Sequence, residues 1–281
     1  MKTLIFGAKG QLGRDLMEVF GAGGECLGVD LPEVDIALPG AALEAAESAA
    51  PDLVINAAAY TNVDGAEEDA DNAWRVNETG ARLVAEAAAA VDAPVVYVST
   101  DYVFDGAGSR PYEPDDPPNP KGVYAESKLA GERATAAANP RHFIVRTAWL
   151  YGPGGNNFVE KMLALAASRP ELRLVEDEIG SPTHTIDLAQ ALRALTAGAA
   201  YGTYHGVNRG QCSRYEFAQT IFALAGVEVK TAPCKGAEFP TKAPRPAYSV
   251  LNPARLEETA GYAFRPWEDA LRHYFQRRAQ P

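Results

Sequence analysis

The chain has 281 residues, enough for one large or two modest domains, and its apolar fraction of 47% is typical of a globular protein. Its 26 basic and 37 acidic side chains give a net charge of −11 without a long basic run, which argues against a nucleic-acid partner. The most apolar later stretch, 83–98, is interrupted by charged residues and a proline, which excludes a membrane span. We therefore expect a soluble, cytoplasmic protein.

Short apolar runs alternate with alanine-rich helical patterns over the first 150 residues. This pattern predicts strands at 3–6, 26–30, 53–56, 95–99 and 143–146, and helices at 11–20, 41–50, 70–91 and 124–139. Continuous β-branched strands separated by helices indicate parallel strands that are covered on both faces. The fold class is therefore predicted to be α/β, with a Rossmann-like doubly wound parallel sheet as a dinucleotide-binding domain over residues 1–150.

The pattern changes after residue 151. It predicts helices at 157–167, 185–197, 214–225 and 266–277, strands at 172–175 and 202–207, and a proline-rich stretch at 233–253. We interpret residues 151–281 as mainly a smaller C-terminal substrate-binding domain, whose chain returns to the main sheet around residues 183–208. A long loop at 106–122 follows the fourth strand, at the edge where ligands of open α/β sheets bind.

A glycine loop follows the first predicted strand directly and precedes a helix. Its sequence is Gly7-Ala8-Lys9-Gly10-Gln11-Leu12-Gly13. Gly7 permits the tight turn, Gly10 lets the backbone approach a pyrophosphate, and Gly13 packs the helix against the strand. The helix N-terminus then offers free N–H groups to the phosphates. This context predicts a nicotinamide dinucleotide site.

Acidic and small side chains at the next two strand ends complete the predicted cofactor site. Asp30 ends the second strand, where a carboxylate accepts hydrogen bonds from ribose hydroxyls and repels a 2′-phosphate, which favours NADH. Lys9 can offset this repulsion, so NADPH and dual use stay open. Asp35 and Ile36 follow closely enough to flank the adenine. Small residues at 56–61 let the cofactor lie across the end of the third strand.

A catalytic constellation is predicted beside this site. Thr100 ends the fourth strand, and the spacing of Tyr124 and Lys128 places both on one face of the helix that follows. Ketone reduction needs a hydride and a proton, and a phenol with a pKa of about 10 is a weak donor unless a nearby ammonium lowers that value. We therefore expect Lys128 and a cationic nicotinamide together to lower the pKa of Tyr124, and Thr100 to orient the substrate oxygen.

Taken together, these motifs resemble the dTDP-4-dehydrorhamnose reductase family of extended short-chain dehydrogenases/reductases. The matching segments are the glycine loop, 99–106 (STDYVFDG), Tyr124-x-x-x-Lys128, 146–152 (RTAWLYG), 155–158 (GNNF), 180–183 (GSPT) and 240–252. The resemblance covers nearly the whole chain. It implies NAD(P)H-dependent reduction of the C4 ketone of dTDP-4-dehydro-β-L-rhamnose, the last step of dTDP-L-rhamnose biosynthesis.

The resemblance also implies roles for individual residues. Tyr124 matches the proton donor, Lys128 its partner and Thr100 the residue that orients it. The positions that match substrate contacts are Thr100, Asp101, Tyr124 and Trp149. The positions assigned to the cofactor are Gly7, Gly10, Gln11, Leu12, Gly13, Asp30, Asp35, Ile36, Ala59, Tyr60, Thr61, Tyr124 and Lys128.

One departure from the family concerns metal binding. Some members bind Mg²⁺ between subunits through acidic residues, one of which is expected just after the segment 180–183. This chain has His184-Thr185-Ile186 there, and Asp187 comes one place late. We therefore predict no metal site, and a monomer or a homodimer.

Two other functions remain open on sequence grounds. One is another sugar-nucleotide enzyme, either an epimerase, a different reductase or a 4,6-dehydratase. Dehydratases of this fold resemble Thr-Asp-Glu after the fourth strand, whereas this chain has Tyr102 at the third position. The other is a non-catalytic regulatory binding subunit, which has no need of the acid/base residues that are present here.

Overall fold

A parallel sheet of six strands forms the centre of the computed structural model, which describes residues 1–198 and 200–279. In chain order the strands are β1 (Lys2–Phe6), β2 (Glu25–Val29), β3 (Leu53–Asn56), β4 (Val95–Thr100), β5 (His142–Thr147), β6 (Leu150–Tyr151), β7 (Glu171–Val175), β8 (Ile179–Gly180), β9 (Thr183–His184), β10 (Gly202–His205), β11 (Cys212–Ser213) and β12 (Lys230–Cys234). The helices are α1 (Gln11–Gly21), α2 (Ala41–Ala49), α3 (Val63–Ala66), α4 (Ala70–Trp74), α5 (Ala81–Ala90), α6 (Val123–Ala138), α7 (Phe158–Ser168), α8 (Thr185–Thr196), α9 (Arg214–Ala225), α10 (Ala254–Ala260) and α11 (Trp267–Arg278).

The strand order in the central sheet is β10-β5-β4-β3-β1-β2, and every neighbouring pair is parallel. Because β1 lies between β2 and β3, the direction in which strands are added reverses at β1, which opens a crevice at the carboxyl ends of these strands. The predicted fold class is confirmed. The chain re-enters the sheet after residue 151, since β10 pairs with β5 and α8 packs against α1.

Both faces of the sheet are buried, as the continuous apolar strands predict. Along β1 the side chains alternate: Ile5 belongs to the cluster under α1 and α8, whereas Leu4 and Phe6 belong to the cluster under α2 and α5. A third cluster, centred on Phe217, holds the smaller C-terminal part together. Among the described residues, none of the helices combines the length and apolarity that crossing a bilayer requires.

The long helix predicted at 70–91 is interrupted. The chain forms α4, then a π-helical segment at Arg75–Gly80, and then α5. The wide turn holds Asn77 inward, where its side-chain amide donates to the Ser127 hydroxyl (3.1 Å) and its oxygen accepts from the Tyr60 N–H (2.9 Å). Helical periodicity alone does not reveal such a contact, because its partners lie far away in sequence.

The sequence analysis also missed several short elements beyond residue 150. The predicted strand at 172–175 is β7, but its partner β12, the short pairs β6 with β9 and β8 with β11, and α10 after the proline-rich stretch were not predicted. Two-residue strands carry no detectable alternation. The strand β12 contains Pro233, which lowers its strand signal and is tolerated because β12 lies at the edge of a two-stranded sheet.

Candidate active site

A cleft of about 610 Å³ lies at the carboxyl ends of the central strands and extends to the C-terminal part. The predicted site residues that line it are Gly7, Gly10, Gln11, Leu12, Gly13, Asp30, Asp35, Ile36, Ala59, Thr61, Thr100, Asp101, Tyr124, Lys128 and Trp149. Tyr60 is the exception, and its backbone N–H and C=O are instead paired with the side chain of Asn77. The fold therefore gathers almost all of the predicted residues around one cavity.

The glycine loop forms a cradle that side chains would fill. Gly7 has a φ of +82°, and a Cβ there would lie 2.6 Å from the Ala58 nitrogen. A Cβ on Gly13 would lie 2.1 Å from the Gly7 carbonyl oxygen, so the helix approaches the loop only because this position lacks a side chain. Gly10 is the N-cap of α1. These features fit a dinucleotide whose pyrophosphate lies on the N-terminus of α1.

The carboxylate of Asp30 is hydrogen-bonded to the backbone of the glycine loop. Its two oxygens accept hydrogen bonds from the backbone N–H groups of Lys9 and Leu31, each at 2.8 Å. The Lys9 ammonium lies elsewhere, donating to Glu33 (2.7 Å) and to the Leu31 carbonyl (2.9 Å). Because the Lys9–Glu33 pair is largely exposed, it is weak, and a 2′-phosphate can draw the ammonium away from Glu33.

Asp35 and Ile36 lie at the same end of the cleft. The Asp35 carboxylate accepts from the Arg75 guanidinium (2.8 Å) and from the Ala37 N–H (2.9 Å). Burial opposes these two contacts, but together they lower the pKa of Asp35 below its usual value. Ile36 is buried against Gly80. Arg75 is a cleft residue that the sequence analysis missed, because its partner lies 40 residues away.

The residues predicted to be catalytic come from β4 and α6. Thr100 ends β4, and Tyr124 lies in the first turn of α6, where its ring packs edge-on against Tyr102 with centroids 5.6 Å apart. One turn later, the Lys128 ammonium donates to the Val98 carbonyl at 2.7 Å and lies 4.1 Å from the centre of the Tyr97 ring. The predicted grouping of Thr100, Tyr124 and Lys128 is thus present, with Lys128 held by the backbone of β4.

In the protein alone, Lys128 does not bring the pKa of Tyr124 below its usual value, and the expected joint effect with a cationic nicotinamide stays a prediction. Burial raises the pKa of Tyr124 well above its usual value, and a hydrogen bond with the Thr100 side chain only partly opposes this effect. Burial also lowers the pKa of Lys128 to about 7, against the influence of Glu132. The physical reason is desolvation, which disfavours both charged forms. At neutral pH Tyr124 is therefore a protonated phenol, which is the form that a proton donor requires.

Asp101 and Trp149, the remaining residues predicted to contact substrate, also line the cleft. Asp101 is buried, accepts from the Thr100 hydroxyl at 3.1 Å, and has its pKa raised by burial to about 6. Trp149 has a φ of +46°, a conformation that is costly for a bulky side chain and that is concentrated at functional sites. Arg214, which the sequence analysis missed, also lines this part of the cleft.

A buried polar network that the sequence analysis missed lies next to Lys128 on α6. Glu132 accepts a hydrogen bond from Ser99 (2.5 Å) and a bidentate pair from Arg146 (2.9 and 2.7 Å). It therefore ties α6 to β4 and β5 at the level of Lys128. The only sequence signal is its spacing of four residues from Lys128, which places both side chains on one helical face.

The acidic position implied by the family's metal site does not suit Mg²⁺ here. Asp187 is buried, and its two oxygens are engaged by the Arg265 guanidinium (3.0 Å) and the Asn208 amide (2.8 Å). Ligand atoms of Asp187, His184 and His273 lie within 4.8 Å of one another. Two imidazoles and an ion-paired carboxylate differ from the oxygen ligands that Mg²⁺ prefers. That the protein binds no metal stays a prediction.

Comparison with known proteins identifies the family. The model of the RmlD substrate binding domain matches residues 1–280. The spore coat polysaccharide biosynthesis protein SpsK of Bacillus subtilis is 43% identical over 99% of this chain and 98% of its own length. A dTDP-4-dehydrorhamnose reductase of Mycobacterium tuberculosis is 43% identical over 96% of this chain and 91% of its own. A solved dTDP-4-dehydrorhamnose reductase of Bacillus anthracis, in complex with NADP, has a TM-score of 0.95 at 39% identity and covers 99% of this chain and 100% of its own. The chain therefore belongs to the RmlD substrate binding domain family.

Proposed function

We propose that the protein reduces the C4 ketone of dTDP-4-dehydro-β-L-rhamnose with NADPH or NADH, yielding dTDP-L-rhamnose in the last step of its biosynthesis. The observation that carries this proposal is the meeting of the glycine cradle with Thr100, Tyr124 and Lys128 in one cleft. The full-length similarity to reductases of that name supports the choice of substrate.

Bound NAD(P)H supplies the hydride for the ketone carbon. The phenol of Tyr124 donates its proton to the ketone oxygen, and its raised pKa keeps that proton in place until charge develops on the oxygen. The Thr100 hydroxyl hydrogen bonds with Tyr124 and orients the carbonyl. Once the phenolate has formed, the positive charge of the Lys128 ammonium stabilises it before the proton is restored from solvent.

Asp101 and Trp149 position the sugar. Asp101 is buried in the lining of the cleft, where its carboxylate is suited to accept a hydrogen bond from a substrate hydroxyl. Trp149 lines the same cleft and offers the sugar an apolar contact. These two roles extend the site from the nicotinamide end of the cleft toward the C-terminal part.

The two parts of the chain have different roles in this proposal. Residues 1–150 form the dinucleotide-binding domain of the proposal, and residues 151–281 contribute mainly to substrate binding, with Asn156 and Phe158 lining the cleft. The cytoplasmic location and the monomeric or homodimeric state stay predictions from the sequence.

The proposal is tested by following NADPH and NADH oxidation when dTDP-4-dehydro-β-L-rhamnose is supplied. We expect turnover with at least one cofactor and the formation of dTDP-L-rhamnose. The variant Tyr124→Phe is expected to lose turnover by about 100-fold or more, the usual effect of removing a general acid, while it retains cofactor binding. Absence of turnover with both cofactors would refute the proposal.

A matched control and a cofactor assay separate the alternatives. Tyr262→Phe makes the same chemical change outside the cleft and is expected to leave turnover unchanged. An epimerase retains its nicotinamide tightly through purification, whereas the proposed reductase exchanges it with each turnover. Full activity of Tyr124→Phe would show that another group donates the proton.

A further inference from the structure

A guanidinium is held flat against an indole on the substrate side of the cleft. Arg214 begins α9, directly after the capping residue Ser213, and its side chain is only 19% exposed. The Arg214 Cζ lies 3.4 Å from the centre of the Trp149 ring and 5.2 Å from that of Phe158. Such stacking leaves the edge of the guanidinium, which carries its N–H donors, available to a ligand in the cleft.

The indole beneath Arg214 is itself held in place. Trp149 adopts a φ of +46°, and a Cβ on Gly180 would lie 2.4 Å from its Cε2 atom. Gly180 belongs to β8, which pairs with Cys212 in β11, two residues before Arg214. One small sheet therefore positions both partners of the stack, and a strained backbone that persists in this way is typical of a binding site.

Arg214 forms one long ion pair, and its Nη groups have no hydrogen-bond partner among the described residues. The Glu178 carboxylate is 3.5 Å from its Nε, and the described residues show no hydrogen bond from the Arg214 side chain. The other cations that line the cleft are already engaged, since Lys128 donates to Val98 and Arg75 is paired with Asp35. A largely buried guanidinium with a single long ion pair and with Nη groups free to donate into the cleft indicates an anionic ligand.

We propose that Arg214 binds the diphosphate of the nucleotide sugar, with its Nη groups donating to phosphate oxygens while Trp149 supports its flat face. The inference rests on the proposed function and deepens it. A planar guanidinium suits phosphate oxygens because two parallel N–H donors meet two acceptors. The diphosphate of the cofactor has its own site at the glycine loop, and Arg214 serves the substrate alone.

Calorimetric titration of the full-length protein tests this assignment with dTDP, thymidine and NADP⁺ as separate ligands. In Arg214→Met we expect the Kd of dTDP to rise by about tenfold or more, the effect of losing a charge-assisted bidentate contact. The Kd values of thymidine and NADP⁺ should stay within about twofold of those of the unsubstituted protein, because neither ligand places a phosphate against Arg214. Arg214→Lys keeps the positive charge but lacks the two parallel N–H donors of the guanidinium. Its affinity for dTDP should therefore lie between that of Arg214→Met and that of the unsubstituted protein.

The matched control is Arg169→Met, which removes an exposed arginine at the end of α7 and should leave all three affinities unchanged. Equal dTDP binding by Arg214→Met and the unsubstituted protein would overturn the inference. A fall in thymidine affinity as large as that for dTDP would also overturn it, since Arg214 would then serve the base. So would a loss of NADP⁺ binding in both Arg214 variants, which would assign the residue to the folding of α9.

The same titrations separate this inference from the proposed function. If the unsubstituted protein binds no dTDP, the substrate class itself is wrong. If it binds dTDP and Arg214→Met binds it equally well, the function stands and only the role of Arg214 fails.

Discussion

Replacing Lys128 by methionine should stabilise the protein while it destroys activity. The ammonium is buried, and burial lowers the pKa of Lys128 from 10.5 to about 7. The decrease in pKa from 10.5 to about 7 is about 3.5 pKa units. At about 1.36 kcal/mol per pKa unit, burying the charged form lowers the unfolding free energy by about 5 kcal/mol. Methionine fills a similar volume and carries no charge to desolvate, so Lys128→Met removes this cost.

The sign and the pH window follow from linkage. Between pH 7 and 10.5 the unfolded chain holds a proton on Lys128 that the folded protein has released, so the stability of the unsubstituted protein rises with pH. At pH 7 the cost is still about 4 kcal/mol, and at pH 9 it has fallen to about 2 kcal/mol. The loss of the hydrogen bond to Val98 offsets part of the gain at both pH values. The stability advantage of Lys128→Met should therefore shrink by about 2 kcal/mol from pH 7 to pH 9.

The assay is urea unfolding followed by far-ultraviolet circular dichroism at pH 7 and pH 9. The unsubstituted protein is compared with Lys128→Met and with Lys161→Met, which removes an exposed lysine from α7 and should show no pH-dependent difference. An advantage of Lys128→Met that is equal at the two pH values would refute the reasoning, because the ammonium would then not be desolvated. Loss of turnover in a stabilised variant would identify Lys128 as a residue kept for function.

Three further predictions concern other parts of the site. Arg146→Met leaves the buried Glu132 without its countercharge and should lower the unfolding free energy by about 3–5 kcal/mol, whereas the double variant Glu132→Leu/Arg146→Met should lose less. A double variant whose loss of unfolding free energy equals the sum of the losses in the two single variants would contradict this. Gly13→Ala places a Cβ 2.1 Å from the Gly7 oxygen and should weaken NADP⁺ binding by about 100-fold in calorimetry with dTDP binding retained; unchanged NADP⁺ affinity would argue against the cradle. Because burial raises the pKa of Asp101 to about 6, kcat/KM should fall as the pH drops through 6, where the carboxylate becomes a neutral and weaker acceptor. The Asp101→Asn variant should not show this decrease at acid pH, and the same decrease in the variant would assign it to another group.

Much of the fold and of the candidate site was predictable from local sequence. The alternation of apolar strands with helices indicated the parallel sheet, and the spacing of Gly7, Gly10 and Gly13 between a strand and a helix indicated the cradle. The four-residue interval between Tyr124 and Lys128 placed both side chains on one face of α6. These features are local because strand and helix periodicity determine where neighbouring side chains point.

What only the tertiary structure decided depends on contacts between residues that are distant in the chain. The pairing of Arg75 with Asp35, the ties of Glu132 to Ser99 and Arg146, and the stacking of Arg214 on Trp149 have no signature in residue spacing. The pKa directions of Tyr124 and Lys128 belong to the same class. The residue spacing placed Lys128 and Tyr124 on one helical face. Burial determines the pKa of both groups, and the Val98 carbonyl is the group to which the Lys128 ammonium donates. Desolvation depends on everything that surrounds a group, and only the folded chain supplies those surroundings.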